Sequence, residues 1–177
     1  MIKVSLNGLN KFKRDLQKYK TNVLERKVKT FIAELLKIGI EVAQTSVNES
    51  PLGQYVTLST DISADNMGCT GILIAKGEIK YEVDNNRKPY PPFSTILAIE
   101  FGAGIYHNAT PNPNSVALGL GVGTFPNQTH AFNDVWFYWD EADQLWKPTH
   151  GVKATMPMYN AQMEIMQQMV KVAETIF

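Results

Sequence analysis

Residues 24–43 read LERKVKTFIAELLKIGIEVA, and this stretch sets the architecture that we expect for the chain. Its apolar residues recur at the three- and four-residue spacing of one helix face, with charged residues between them. The helix should end before Pro51, because the residue that precedes a proline is displaced from α-helical backbone angles. The apolar face consists of Leu24, Val28, Phe31, Ile32, Leu35, Val42 and Ala43.

Helical periodicity also extends upstream of this stretch, towards the N-terminus. We expect a break near Thr21 and Asn22, so residues 8–48 are predicted to form one long helix or two consecutive helices. A short alternation of apolar and polar residues over 2–6 predicts a strand before the helix. The upstream apolar face consists of Leu9, Phe12, Leu16, Tyr19 and Val23.

Downstream of the helix, residues 55–101 are predicted to form a β-meander. Runs rich in β-branched and aromatic residues occur at 55–60, 71–75, 78–83 and 95–101, each bounded by turn-forming residues. Lys76 and Gly77 are interpreted as a hairpin turn between two of these strands.

The last third of the chain contains a long irregular segment, a hairpin and a helix. Residues 102–134 hold five glycines and three prolines without periodicity, which is typical of a functional or a disordered loop. Two apolar runs around a polar turn predict a β-hairpin over 135–147. Thr155 as N-cap and Pro157 in the first turn predict a helix over 155–177. We therefore expect a single α+β domain over 1–177, with an antiparallel sheet packed by the N-terminal and C-terminal helices.

Charges are distributed unevenly, although the 17 basic and 17 acidic side chains cancel. The first 30 residues carry nine Lys or Arg against two acids, a balance of +7, and the other 147 residues carry a balance of −7. The basic residues of the N-terminal helix lie off its apolar face, where they are either solvated or in contact with an anionic partner. We favour a protein partner or a solvated face over nucleic acid, because no aromatic residues are interleaved with the lysines.

Patterns that bind metals or nucleotides are missing from the sequence. The alternating glycines at 119, 121 and 123 lack the spacing of a dinucleotide- or phosphate-binding loop. The histidines are isolated from one another, and Cys69 has no second thiol nearby, so we expect neither a metal nor a cofactor. The three histidines are His107, His130 and His150.

Catalytic signatures are also missing. Asp140, Glu141 and Asp143 fall in the predicted hairpin turn, where solvation would leave them without the burial that shifts a carboxyl pKa. A hydrolase or glycan-binding protein that uses these acids and the tryptophans is an alternative, but we expect no enzyme. The single cysteine suits a reducing compartment, and neither a signal peptide nor a transmembrane helix is expected.

Tryptophan and methionine side chains indicate candidate interfaces. All three tryptophans lie in the predicted hairpin, and five of the seven methionines lie between 156 and 169. Both groups are interpreted either as simple core or as contacts with a neighbouring subunit, because aromatic residues and methionine are enriched in interfaces. The candidate interface residues are Lys11, Arg14, Lys18, Trp136, Trp139, Trp146, Met156, Met163 and Met166.

Two short segments carry a family resemblance. Residues 98–102, AIEFG, end in a Glu-x-Gly motif, and residues 149–161, THGVKATMPMYNA, lead into the C-terminal helix. Together with the basic N-terminal helix and the Ser50-Pro51 break, these segments resemble the small neck and tail-completion proteins of long-tailed bacteriophages, also described as minor tail or head–tail joining proteins. The chain departs from the family between Gly102 and Gly151, a segment far longer than the connection expected there.

The resemblance implies a structural protein that assembles as a ring, which we expect to be six-fold, between the capsid connector and the tail. It implies contacts with further copies of itself, with the head connector and with a tail-terminator or tail-tube protein, and none with a membrane. It also implies assembly in the host bacterial cytoplasm and a final place in the virion. A nucleic-acid-binding module that works through the basic helix is the alternative function.

Overall fold

The computed structural model describes residues 6–64, 68–80, 93–103, 112–118, 135–140 and 143–177. Within these ranges the chain is α+β, as predicted, because N-terminal helices and a C-terminal helix pack with a two-stranded antiparallel sheet. The strand predicted over 2–6 lies outside the described residues except for Leu6, which is already helical. Most of the predicted loop over 102–134 also lies outside them.

The N-terminal part forms one nearly continuous helical rod, which confirms the prediction for 8–48. Helix α1 spans Leu6–Lys18, a π-helical segment spans Tyr19–Leu24, and helix α2 spans Glu25–Asn48. Backbone angles stay helical at both junctions, so the expected break is a change of helix type. The rod ends just before Pro51, where the N–H groups of Glu49 and Ser50 donate to carbonyl oxygens of the last turn.

The sheet consists of strands β1, Val56–Ala64, and β2, Cys69–Gly77, which pair antiparallel in register from Val56↔Gly77 to Ala64↔Cys69. One face of this sheet lies against α2. A Cβ atom added to Gly71 would lie 2.9 Å from Leu36 Cδ1 and would also collide with Ile32, so the strand and the helix meet closely there.

The predicted hairpin turn at Lys76 and Gly77 is wrong. Both residues belong to β2 and pair with Thr57 and Val56 of β1. The following short strand β3, Ile79–Lys80, pairs with strand β4, Phe93–Ser94, and residues 81–83 of the predicted strand lie outside the described ones. Gly77 is needed for close packing, because a Cβ atom there would lie 2.7 Å from the backbone nitrogen of Ile96.

The strand predicted over 95–101 is also wrong, since Thr95–Phe101 is a helix, α3. Its β-branched and aromatic residues favoured a strand, but tertiary burial overrides that preference. The Ser94 hydroxyl accepts from the Leu97 N–H at 3.5 Å and caps the helix, and Gly102 ends it with a positive φ of 79°. The meander of 55–101 is therefore two short antiparallel pairs followed by a helix.

Helix α5, Pro157–Ile176, lies antiparallel to α2 and confirms the predicted C-terminal helix. Gly39 of α2 is the point of closest approach, because a Cβ atom there would lie 2.6 Å from Ile165 Cδ1 of α5 and 3.5 Å from Leu73 of β2. A buried cluster of Val47, Val56 and Ile99 connects α2, β1 and α3. Helix α2 is thus the central element, with the sheet and α5 packed against it.

A second hairpin confirms the prediction for 135–147. Strand β5, Trp136–Asp140, pairs antiparallel with strand β6, Leu145–Thr149, in register from Trp136↔Thr149 to Asp140↔Leu145. The short helix α4, Asn114–Ala117, lies within the segment that was predicted to be an irregular loop.

Candidate interaction surfaces

The Glu100 carboxylate joins the end of α3 to the first turn of α5. Oε2 accepts from the backbone N–H of Met158 at 2.9 Å, and Oε1 accepts from that of Tyr159 at 3.0 Å. Backbone N–H groups in the first turn of a helix have no partner within the helix, and the positive end of the helix dipole favours an anion there. Glu100 therefore performs the capping role that was predicted for Thr155.

That prediction for Thr155 is wrong, although Pro157 does occupy the first turn of α5. The N-cap position belongs to Met156, which has a left-handed backbone conformation with φ 52° and makes no side-chain capping bond. The backbone N–H groups of Thr155 and Met156 both point to the carbonyl oxygen of Ile99, at 2.9 and 3.3 Å. The residues at the start of helix α5 are consequently held by α3 as well as by local bonds, such as that from the Asn160 side chain to the Thr155 carbonyl oxygen.

Asn112 brings a third segment to the same junction. Its side-chain amide donates to Glu100 Oε1 at 2.8 Å, and its Oδ1 accepts from the backbone N–H of Asn114 at 3.0 Å. Asn112 is 2% exposed, so it fixes the start of α4 next to Glu100 inside the protein. Both segments of the resemblance, 98–102 and 149–161, meet here, and an antiparallel bridge between Ala103 and Val152 joins them a second time.

The pKa of the Glu100 carboxyl is raised above its ordinary value. Burial is the largest cause, since it penalises the charged form, whereas the hydrogen bonds from Met158, Tyr159 and Asn112 oppose the shift. Three hydrogen-bond donors surround the carboxyl group, which therefore serves as a structural cap for α5.

The predicted basic residues Lys11, Arg14 and Lys18 are exposed on α1. The apolar row of the same helix is exposed as well, with Phe12 as its most exposed member at 64%. Among the described residues, α1 has extensive contacts only with the π-helical segment that follows it. Both the charged and the apolar side of this helix are therefore accessible.

The outer face of α5 is a second accessible apolar surface. Met163 and Met166, two of the predicted interface residues, are exposed, and so are Met169 and Val170. Met156 differs from them, since it is half-buried at the N-cap position.

The hairpin β5–β6 forms a third surface. Trp146 is half exposed on β6, and Trp136 and Trp139 lie in β5 with side chains outside the described part. Asp143 pairs with Lys147 at the exposed turn of the hairpin, an arrangement that contributes little to stability in water. The predicted interface residues whose side chains are described and exposed thus lie on three different elements, α1, α5 and β6.

Glu100 and Asn112 were not predicted as functional residues. The sequence placed Glu100 in a short motif without a role, and Asn112 fell in the segment that was assigned as irregular. Asn112-Pro113-Asn114 is a turn-forming sequence, and this was the available signal for an ordered position.

The described residues contain no group of three His, Cys, Asp or Glu side chains arranged to hold a metal ion. None of their helices combines the length and apolar character that crossing a bilayer requires. His107, His130 and Glu141 lie outside these residues.

Comparisons of the chain with family models, with curated proteins and with solved structures found no match.

Proposed function

We propose that the chain is a structural subunit of the head–tail junction of a long-tailed bacteriophage. It assembles as a ring between the capsid connector and the tail, contacts the connector and a tail-terminator or tail-tube protein, and acts without catalysis. Assembly takes place in the cytoplasm of the bacterial host, and the mature location is the neck of the virion.

One observation carries this proposal. The two segments that resemble the family are distant in sequence, since Glu100 and Met158 are 58 residues apart, yet they form one junction. The Glu100 carboxylate accepts hydrogen bonds from Met158 and Tyr159, so the glutamate of the first segment caps the helix that the second segment begins. This contact supports the proposal, because it makes the two segments parts of one structural unit.

The exposed surfaces supply further support. A ring requires two different complementary surfaces on each subunit, since its contacts are head-to-tail. The chain has a basic first part and an acidic remainder, and it exposes apolar side chains on both α1 and α5. Opposite charges accelerate and orient such an association, and buried methionines and aromatic residues contribute its contact area.

The test is deletion of the gene in the phage that encodes the chain. We expect filled heads and separate tails in electron micrographs, and we expect complementation by the wild-type gene to restore joined particles. Particles that retain normal head–tail joining after the deletion would refute the proposed function.

The exposed basic face of α1 favours one second candidate, a nucleic-acid-binding module. Binding through phosphate contacts would weaken steeply with salt concentration, and replacing Lys11, Lys13, Arg14 and Lys18 by Gln would reduce both the affinity and the salt dependence. Unchanged affinity of this variant for double-stranded DNA would exclude the basic face as the binding site.

A further inference from the structure

The arm, defined as residues 6–24, carries an apolar row that stays exposed among the residues that the structure describes. The row consists of Leu9, Phe12, Leu16 and Tyr19, which are between 53% and 64% exposed. Four large apolar side chains on one face of an exposed helix form a contiguous patch, and such patches indicate an interaction site.

The arm extends beyond the point where Phe177, at the end of α5, contacts α2. Phe177, which follows α5, lies against Phe31 of α2 with ring centroids 6.0 Å apart, and Lys27 Nζ donates to its main-chain oxygen at 3.2 Å. Helix α5 therefore reaches only the first turns of α2, and the rod continues past it for another 19 residues, about 28 Å of helix. The members of the apolar row precede Lys27 by 8 to 18 residues, which is about 12–27 Å along the rod.

The same chain exposes a matching apolar row on α5. Ile165 and Ala161 lie on the inner side, towards α2, whereas Met163, Met166 and Val170 follow one another at helical spacing on the outer side. Methionine adapts its shape to a partner surface, which suits a row that must receive Phe12 and other large side chains.

We infer that the apolar row of the arm docks on the outer apolar row of α5 in a second copy of this chain. The contact is head-to-tail, because it joins two different surfaces, and repetition of it gives a ring or an open chain of copies. This inference deepens the proposed function, since it names the partner surface within the ring, but it concerns self-association and can be tested on the purified chain.

The distribution of charge favours a second copy of the chain as the partner of the arm over an anionic membrane or a nucleic acid. The arm carries five Lys or Arg against one acid, a balance of +4, and residues 31–177 carry −7, so the arm of one copy is attracted to residues 31–177 of another. An anionic membrane or a nucleic acid would attract the arm but repel residues 31–177. A nucleic acid would also leave the apolar row uncovered.

The experiment is analytical ultracentrifugation of the full-length chain over a concentration series. We expect concentration-dependent self-association that weakens at least tenfold in Phe12→Ser/Leu16→Ser and also in Met166→Ser/Val170→Ser. Asn10→Ser, a polar substitution on the opposite side of α1, should leave the association constant unchanged. Circular dichroism and thermal unfolding should be unaltered in all variants, because every substituted side chain is exposed.

Disulfide trapping then tests the pairing of the two rows. In a Cys69→Ser background, a chain with Leu16→Cys is mixed with a chain with Met166→Cys and oxidised. A crosslinked heterodimer is expected, whereas Asn10→Cys mixed with Met166→Cys should give none.

Several results would overturn the inference. They are a wild-type chain that stays monomeric at all concentrations, self-association that the arm variant leaves intact, and a monomer that binds phosphatidylserine-containing vesicles through the arm. A chain that associates through the arm but does not act in head–tail joining would refute only the proposed function. Rings in virions that persist with Phe12→Ser/Leu16→Ser would refute only this inference.

Discussion

Glu100 joins three separate segments of the described chain through its carboxylate. Its carboxylate accepts from two backbone N–H groups of α5 and from the Asn112 side chain. Glu100→Gln keeps the size of the side chain but replaces one acceptor oxygen by an amide NH2 group that faces donors. We expect the unfolding free energy to fall by about 1–3 kcal/mol, because at least one buried donor is left without an acceptor.

Chemical denaturation of Glu100→Gln measures this loss. Glu41→Gln is the matched control, since Glu41 is an exposed glutamate on α2 whose side chain carries no such cap. Surface substitutions of this kind stay within about 0.5 kcal/mol of the wild type. Equal stability of the two variants would show that the cap contributes nothing.

The pH dependence of stability should also carry a Glu100 contribution. Burial raises the pKa of the folded-state carboxyl above the ordinary value of 4.5, so the folded chain binds this proton more tightly than the unfolded chain. The stabilising contribution is complete below pH 4.5 and is lost as pH rises through the folded-state pKa. The difference in unfolding free energy between wild type and Glu100→Gln should therefore shrink as pH increases from 4. A difference that grows over this range would contradict the shift.

Packing between elements depends on a glycine in β2. A Cβ atom at Gly77 would meet Thr95 Oγ1 at 2.6 Å and the Ile96 nitrogen at 2.7 Å, at the start of α3. We expect Gly77→Ala to reduce unfolding free energy by about 1–3 kcal/mol, because backbone atoms have to move apart. Gly68→Ala is the control, since a Cβ atom there meets nothing within 4 Å. In a thermal unfolding experiment, each kcal/mol of lost stability should lower the Tm by about 2–4 °C.

Local periodicity made several elements predictable. Helical spacing over 8–48 and 155–177 and the paired apolar runs over 135–147 lie within single elements, so the sequence contains their pattern. The helix α3 was predicted as a strand, because Thr95, Ile96 and Ile99 favour extended structure when burial is ignored.

The capping junction could not be predicted in the same way. Glu100 and Tyr159 are 59 residues apart, and no periodicity relates them. The predicted cap, Thr155, satisfied the local rule for a helix start, but a carboxylate from another element took its place. Interface residues were recognised by type, and their distribution over three elements depended on tertiary structure.

At the scale of the whole molecule, stability should be distributed unevenly. Helix α2 packs against the sheet and α5, whereas α1 lacks extensive contacts with either, and an isolated helix of 13 residues is marginal in water. In the dilute chain we expect amide hydrogens of α1 to exchange at least roughly a hundredfold faster than those of residues 35–47. Hydrogen-exchange mass spectrometry measures this ratio. Equal protection in the two helices would contradict the isolation of α1.

The π-helical segment Tyr19–Leu24 sets the direction in which the arm faces. In an uninterrupted α-helix, Leu16 and Gly39 would point about 140° apart around the axis. A π-helical turn contains more residues than an α-helical turn, so the segment rotates less per residue. Over the whole segment the rotation is smaller by about that of one α-helical residue, which reduces the angle between Leu16 and Gly39 to about 40°. The apolar row of the arm therefore turns towards the side on which α2 packs.

The segment therefore sets the direction of the arm relative to α2. Deleting one residue between 19 and 24, with the segment otherwise π-helical, would rotate the arm by about 80° relative to α2, because a π-helix rotates less per residue than an α-helix. Every core contact of α2 would stay in place, because those contacts begin after the segment. The direction of the arm can consequently change in evolution through length variation at one position, independently of the fold.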